Sequence, residues 1–307
     1  MKVSFIGTGR LGSTIAYTTA LRGLAEEVVM VDILEDLARG QAHDMRHALE
    51  YKTETSIRAA AYEDVRDSDV VVVTAGRPRQ PGMSRLDLLA TNTPIMRDIA
   101  ARVADLAPQT VMINLTNPMD VMNYVAHRSS GLRRTQIVGS GGMLDTSRFR
   151  TALADHLSVP AATVEAYVLG EHGDSQVPIW SRVQVGEEAQ AFSEEERTAI
   201  RESIKEVAIN IISGKGATEY GPANGTADMI ESILRDEGAL IPSSIVTKGE
   251  YGLKDVSIGM PVVLGNGGVT EIQEWDLEAG ELQALQASGD VLEKGRDDAL
   301  AILEGEG

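Results

Sequence analysis

A glycine-rich turn near the start of the chain has the spacing of a phosphate-binding loop. Gly7-Thr8-Gly9-Arg10-Leu11-Gly12 reads G-x-G-x-x-G, follows an apolar strand and opens a helical stretch, and Asp32 stands 20 residues after Gly12. In a dinucleotide site one glycine allows a tight turn, a second lets backbone approach the pyrophosphate, and a third lets helix pack on strand. We predict that Gly7, Gly9, Gly12 and Asp32 bind NAD, because the carboxylate would accept hydrogen bonds from the adenosine ribose and repel the 2'-phosphate of NADP. The alternative is a glycine turn that binds no nucleotide.

Three other side chains could supply acid–base chemistry and anion binding. His172 follows a predicted strand in Gly170-Glu171-His172-Gly173-Asp174, and histidine titrates close to neutral pH. Asp145 and Arg148 are three residues apart and would share one face of a helix. Taken alone, a loop histidine is more often without a catalytic role, and such a pair is most often a solvated surface contact. The spacing leaves both interpretations open.

A loop rich in arginine, Gly76 to Arg85, follows another predicted strand. It contains Arg77, Arg79 and Arg85 among prolines and glycines. A planar guanidinium binds a carboxylate through two parallel hydrogen bonds, a geometry that lysine cannot provide. The loop could therefore bind an anionic substrate, although scattered solubilising charge would also account for it.

Thiol chemistry is excluded and metal chemistry is disfavoured. The chain contains no cysteine, which removes disulfides, thiolate metal sites and cysteine nucleophiles. His43 and His47 lie one helical turn apart with an acid between them, superficially as in zinc-dependent peptidases. The acid is aspartate rather than glutamate, and no third ligand is evident. We predict that the protein holds no metal.

Short apolar runs alternate with longer amphipathic stretches over the first half of the chain. This rhythm predicts a parallel sheet with helices on both faces. The runs end in Gly, Asp, Thr or Asn, which would meet at the carboxyl edge of the sheet, where open α/β folds bind ligands. Predicted helices begin near Leu11, Glu35, Leu86 and Met119. Predicted strands are Val3 to Ile6, Val28 to Asp32, Val70 to Thr74, Val111 to Leu115 and Gln136 to Gly139.

The rhythm changes beyond about Leu144, which indicates a second domain of another class. The fold class predicted is α/β, a Rossmann doubly wound parallel sheet at 1–143 for NAD, followed by an α+β substrate-binding and catalytic domain at 144–307. In the second part we predict strands at Tyr167 to Leu169 and Ile179 to Val183, helices at Ser193 to Ile212 and Thr218 to Asp236, antiparallel strands between Pro242 and Ile272, and a closing helix from Asp276.

Charge and hydropathy limit which classes of binding partner and which cellular compartment are expected. Asp and Glu number 46 against 28 Lys and Arg, and the resulting charge of −18 argues against nucleic acid or an anionic membrane as partner. Only seven basic residues are lysine. An acidic, lysine-poor surface suggests adaptation to concentrated salt, where the screening length falls to about 3 Å; an ordinary acidic protein is the alternative. Without a signal peptide or a spanning apolar run, we expect a cytoplasmic protein.

Five segments, in order and at matching spacing, resemble the lactate/malate dehydrogenase family over nearly the whole chain. They are Gly7 to Gly12 with Asp32, the arginine loop, Leu115 to Pro118, Leu144 to Arg150 and Leu169 to Ser175. The resemblance implies an NAD-dependent oxidoreductase of small 2-hydroxy acids. It also implies a place in the tricarboxylic acid cycle and a homo-oligomer, a homotetramer or else a dimer.

The same resemblance assigns roles to the candidate residues. His172 is then the acid/base, and Asp145 is the carboxylate that orients it. Arg148 anchors the C1 carboxylate of the substrate, Arg85 polarises its carbonyl, and Asn117 hydrogen-bonds the substrate and fixes the nicotinamide side of the cofactor. Oxidation of a 2-hydroxy acid needs a base for the hydroxyl proton while hydride leaves C2, and these residue types supply that chemistry.

The choice of substrate depends on Arg79, six residues before Arg85. In this family an arginine at that position pairs with the second carboxylate of malate or oxaloacetate, whereas lactate dehydrogenases typically have glutamine. Gln80 is adjacent, and Arg77 replaces an expected apolar residue, so a shift of one residue would change the interpretation. We predict malate as the substrate. The alternatives are an L-lactate dehydrogenase and a non-enzymatic NAD-binding sensor, the latter disfavoured by the intact acid/base and anchor residues.

Overall fold

The structure is a computed structural model that describes residues 1–78 and 82–305. Arg79, at the predicted substrate-selecting position, lies outside the described residues, as do its neighbours Gln80 and Pro81. No helix in the described part of the chain is long and apolar enough to cross a membrane.

A parallel sheet forms the first half of the chain, in the strand order β3-β2-β1-β4-β5-β6. Apart from the edge strand β3, its strands are buried at almost every position, which explains their continuous Val, Ile and Met runs. The chain leaves β1 toward β2 and β3 and then returns to the other side of β1 at β4, so the order reverses beside β1. The strands are β1 Lys2–Ile6, β2 Glu27–Val31, β3 Ser56–Ala59, β4 Val70–Val73, β5 Val111–Asn114 and β6 Ile137–Gly139.

Four helices connect these strands and confirm the predicted alternation. They are α1 Arg10–Leu21, α2 Glu35–Leu49, α3 Arg85–Leu106 and α4 Met119–Ser130. The start of α3 is fixed by its cap, because the Ser84 hydroxyl accepts a hydrogen bond from the Asp87 N–H and the Asp87 carboxylate accepts one from the Ser84 N–H. The arginine loop therefore ends at a defined helical turn that begins with Arg85.

The second half extends the same sheet with antiparallel strands. Strand β12 pairs with β6 at Ser244 and Gly139, β13 pairs with β12, and β8 pairs with β13. The short strands β7, β10 and β11 form a separate small sheet. The elements are α5 Gly142–Leu157, β7 Val164–Glu165, β8 Val168–Gly170, β9 Gln176–Pro178, β10 Gln184–Val185, β11 Glu188–Ala189, α6 Glu194–Lys215, α7 Tyr220–Arg235, β12 Ala239–Lys248, β13 Lys254–Gly265, β14 Gly268–Ile272 and α8 Ala279–Gly305.

The short strands β7, β9, β10 and β11 were not predicted, and two further differences from the expected elements have a clear physical reason. The predicted strand at Ile179 to Val183 is wrong, because Trp180–Arg182 forms a 3-10 turn that turns the Trp180 ring against Phe149, with ring centroids 4.8 Å apart. Strand β3 was not predicted, since Ile57 is its one buried residue and an edge strand with so little apolar surface resembles a loop in sequence.

Candidate active site

The glycine turn leaves open space at one of its three glycines. Gly7 has φ +93°, and a Cβ there would lie 2.7 Å from the Ala75 N atom. A Cβ at Gly12 would lie 2.0 Å from the Gly7 carbonyl oxygen, so both positions need glycine for the chain's own packing. A Cβ at Gly9 would meet nothing within 4 Å. Gly9 caps α1, and the open space at the start of that helix is where a pyrophosphate would lie.

Asp32 is held at the end of β2 beside this turn. One carboxylate oxygen accepts hydrogen bonds from the Thr8 N–H at 2.6 Å and the Thr8 hydroxyl at 3.1 Å, and the other accepts from the Leu34 N–H at 2.9 Å. The carboxylate is therefore oriented by backbone and remains partly exposed. An open helix N-terminus with a fixed carboxylate beside it fits a dinucleotide.

His172 and Asp145 form a close polar contact at the centre of the candidate site. The Asp145 Oδ2 atom lies 2.6 Å from His172 Nδ1, although the residues are 27 apart in sequence. The Asp145 carboxylate, in the first turn of α5, raises the pKa of His172 to about 9, against the opposing effect of burial. The His172 side chain is 22% exposed and packs over Gly141, where a Cβ would lie 2.6 Å from the ring. The ring is thus largely enclosed.

The contact between α5 and β8 sets this geometry. The Thr146 hydroxyl accepts a hydrogen bond from the Val168 N–H at 3.1 Å, and β8 ends two residues later at Gly170 with φ +86°. The left-handed turn at Gly170 redirects the chain toward Asp145. Thr146 therefore fixes the strand that leads to His172.

The carboxylate of Asp120 holds the backbone of His172, and sequence reasoning missed this residue. Its carboxylate accepts a hydrogen bond from the His172 N–H at 2.8 Å and one from the Ser244 hydroxyl. Asp120 is 2% exposed, and burial raises its pKa to about 6. The Asn123 side chain donates to the Ser244 carbonyl at 3.2 Å and to the Ser257 hydroxyl at 3.0 Å. A buried polar network thus holds the backbone of the histidine.

Arg148 lies on the other side of Asp145. Its Nη1 atom is 3.8 Å from Asp145 Oδ1, and Nη2 donates to the Thr218 hydroxyl at 3.3 Å. The Arg148 Nε atom is buried without a hydrogen-bond partner in the described part of the chain. A mostly buried guanidinium with donors to spare favours binding of an anion. Thr218 is a second residue that sequence reasoning missed.

Arg85 is held by the residue that precedes the histidine. Its Nη2 atom donates to Glu171 Oε1 at 2.9 Å, while the other Glu171 oxygen accepts from the Ser175 hydroxyl at 2.6 Å. The Glu171 side chain is 7% exposed and that of Arg85 is 47% exposed. The first residue of α3 thereby reaches the segment that contains His172.

Asn117 follows β5 and is tied to the base of the arginine loop through Asn92. The Asn92 side chain donates to the Asn117 carbonyl at 2.7 Å and to the Arg77 carbonyl at 3.1 Å, and it accepts from the Arg77 N–H at 2.8 Å. Asn117 itself is exposed, with its Oδ1 atom accepting from the Met119 N–H at 3.2 Å. Asn92, which sequence reasoning also missed, is 1% exposed and sets the position of the loop relative to Asn117.

Comparison with known proteins identifies the family. Residues 1–139 match the family model described as lactate/malate dehydrogenase, NAD binding domain, and residues 142–302 match the model of the alpha/beta C-terminal domain. The chain belongs to the lactate/malate dehydrogenase family. This confirms the family predicted from the sequence and the NAD cofactor.

Relatives named malate dehydrogenase and relatives named L-lactate dehydrogenase both match this chain over nearly their whole length. It is 45% identical to a malate dehydrogenase of Halobacterium salinarum over 95% of this chain and 97% of that protein. It is 41% identical to an L-lactate dehydrogenase of Thermus aquaticus, over 98% and 100%. The solved malate dehydrogenase of Salinibacter ruber has a TM-score of 0.92 at 36% identity and full coverage of both chains. The Rossmann-type α/β fold predicted from the sequence is therefore confirmed.

The histidine pair on α2 lies outside the site of this dehydrogenase. His43 and His47 are exposed, and the described residues contain no group of three or more His, Cys, Asp or Glu side chains that could hold a metal ion.

Proposed function

We propose that this chain is an NAD-dependent malate dehydrogenase, which transfers hydride reversibly between malate and NAD and yields oxaloacetate and NADH. The observation that carries the proposal is the shared carboxylate of Asp145, which contacts the His172 ring at 2.6 Å and faces Arg148 at 3.8 Å. An imidazole and a guanidinium thus share one carboxylate, which supports a proton-transfer group beside a carboxylate-binding cation. Four malate dehydrogenase relatives are 42–45% identical, against 38–41% for four L-lactate dehydrogenases, which favours malate.

His172 moves the proton in this proposal. In oxidation its neutral ring takes the proton of the substrate hydroxyl, and in reduction its protonated ring gives one to the developing alkoxide. Bound NAD supplies the acceptor for the hydride that leaves C2. Because Asp145 raises the pKa of His172 to about 9, the ring is protonated at neutral pH in the free enzyme and ready for reduction.

The arginines and Asn117 hold and polarise the substrate. Arg148 binds the C1 carboxylate through two parallel hydrogen bonds. Arg85 leaves Glu171 to reach the carbonyl oxygen and stabilises the negative charge that develops there. Asn117 hydrogen-bonds the substrate and limits the side from which the nicotinamide approaches. Arg79 pairs with the second carboxylate of malate or oxaloacetate.

We assign the cofactor contacts to the turn and to Asp32. Gly7 and Gly12 shape the turn, Gly9 lets the pyrophosphate approach the N-terminus of α1, and Asp32 binds the ribose hydroxyls. We also propose domain limits of 1–143 and 144–307, a cytoplasmic homotetramer with a dimer as the alternative, and a role in the tricarboxylic acid cycle. Light scattering of the purified protein measures the subunit number.

The test is NADH oxidation with oxaloacetate and with pyruvate. We expect oxaloacetate to give the higher kcat/KM, and His172→Asn to lower it by about 100-fold or more. His156→Asn is the matched control, because that exposed histidine lies at the far end of α5 beside Glu196. A wild-type preference for pyruvate would make the protein a lactate dehydrogenase. If neither oxaloacetate nor pyruvate supports NADH oxidation, the result would favour a non-enzymatic NAD-binding sensor.

A further inference from the structure

An arginine inside the glycine turn reaches across to the substrate half of the molecule. Arg10 is the first residue of α1, directly after Gly9. Its Nε atom forms an ion pair with the carboxylate of Glu219, and its Nη1 atom donates to the Lys215 carbonyl at 3.2 Å. Lys215 is the last residue of α6 and Glu219 directly precedes α7, so both partners belong to the short segment 215–219 that joins the two helices. One side chain thus joins the cofactor turn to that connection.

Two neighbouring cations keep the buried carboxylate of Glu219 charged. Its side chain is 10% exposed, and its second oxygen lies 3.1 Å from Lys215 Nζ. Burial would raise the pKa of this carboxyl, but Lys215 and Arg10 together hold it below the ordinary value. A buried carboxylate that loses one of two cations becomes poorly compensated, so the position of segment 215–219 depends on Arg10.

The same segment contacts the substrate anchor. Thr218, next to Glu219, accepts the hydrogen bond from Arg148 Nη2 at 3.3 Å. A continuous path therefore runs from the cofactor turn through Arg10 and Glu219 to Thr218 and then to Arg148. None of these contacts involves a reacting atom.

We propose that Arg10 is a positioning residue that couples the cofactor turn to the substrate anchor. The ion pair with Glu219 keeps segment 215–219 against the turn, and this holds Thr218 where it orients the guanidinium of Arg148. Arg10 also places a formal positive charge at the start of α1, where the pyrophosphate of NAD would bind. The substrate part of this inference rests on the proposed function, because it assumes that Arg148 binds the substrate carboxylate.

Two variants that break the same ion pair should differ in their effect on NADH affinity. Arg10→Gln removes a cation from the pyrophosphate site, so NADH affinity falls about threefold to tenfold. Glu219→Gln removes an anion and leaves the cation, so NADH affinity is unchanged or higher. Both variants raise KM for oxaloacetate by about threefold to tenfold at saturating NADH, and the double variant raises it no further than either single variant. Fluorescence titration and steady-state kinetics measure these values.

Arg22→Gln is the matched control. Arg22 also joins α1 to α7, through Asp228 at 2.6 Å and through Glu231, but it lies at the far end of α1 from the glycine turn. We expect a lower Tm with NADH affinity and KM within about twofold of wild type. An equal rise of KM in this control would assign the effect to general contact between the helices and overturn the proposal. So would unchanged KM in both Arg10→Gln and Glu219→Gln.

A binding measurement separates this inference from the enzymatic assignment. NADH should slow hydrogen exchange of the backbone amides at 216–219 in the wild-type protein, and Arg10→Gln should remove most of that protection. This result is expected even if neither oxaloacetate nor pyruvate is reduced. Equal protection in wild type and variant would show that Arg10 does not couple the two regions.

Discussion

The contact between Asp145 and His172 makes a quantitative prediction for the variant Asp145→Asn. The carboxylate is the largest cause that raises the pKa of His172 from 6.5 to about 9. Without it the pKa should return toward the ordinary value of about 6.5. At pH 8 the protonated fraction of His172 would then fall from about 0.9 to about 0.03, which is roughly a 30-fold loss of the form that donates a proton.

The assay is kcat/KM for oxaloacetate reduction at saturating NADH between pH 5 and pH 10. In the proposed mechanism reduction requires protonated His172, so the wild-type rate should be flat at low pH and fall as pH rises through about 9. In Asp145→Asn the fall should begin near pH 6.5. Any gap that remains at pH 5, where both rings are protonated, measures the loss of ring orientation separately from the loss of charge.

Asp155→Asn is the control for this experiment, because it makes the same chemical change at an exposed position of α5. Its profile should overlay that of the wild type. The reasoning is refuted if Asp145→Asn retains an inflection near pH 9, or if the wild-type inflection already lies near 6.5.

Four further outcomes are expected. Arg79→Gln should lower kcat/KM for oxaloacetate by at least about 30-fold, because it leaves the second carboxylate unpaired, and should spare kcat/KM for pyruvate. Arg77→Gln should lower kcat/KM for oxaloacetate much less. The reverse result would place the substrate-selecting residue at Arg77. Replacing Asp32 by serine should relax the preference for NADH, and a wild-type enzyme that uses NADPH equally well would contradict its role. Asp120→Asn should lower the free energy of unfolding by about 1–3 kcal/mol and also lower kcat, because one buried donor loses its acceptor. An unchanged Tm would argue against a stabilising role of the hydrogen-bond network around Asp120. The acidic surface predicts loss of activity in dilute buffer and recovery in molar KCl, and lasting stability at low salt would refute it.

Local patterns were sufficient for most of the first half of the fold. Buried parallel strands are continuous apolar runs in sequence, and the glycines and caps at their ends mark where the helices begin. The pattern was insufficient at Ile179 to Val183, where apolar residues at strand-like spacing form a turn. The position of Trp180 there is set by packing against Phe149, a residue of α5, and such a contact leaves no mark in local periodicity.

The candidate active site shows a different limit of prediction from sequence. Spacing alone left His172 and Asp145 as separate candidates, and the family resemblance was needed to pair them. The structure supplies the physical reason for the pairing, since the hydrogen bond from Val168 to Thr146 and the turn at Gly170 bring α5 and β8 into register. Arg79 remains a prediction from sequence.

The residues that sequence reasoning missed are those that support others. Asp120 and Asn123 are polar side chains three residues apart within the apolar stretch Met119 to Ala126, so they would share one buried face of α4. Such a pair is a usable signal, because a buried carboxylate requires donors and therefore indicates a polar network in the core. The sequence around Asp120 does not show which residues donate these hydrogen bonds. Ser244 comes within reach of Asp120 because β12 pairs with β6, and the backbone N–H of His172 comes within reach because β8, which precedes it, pairs with β13.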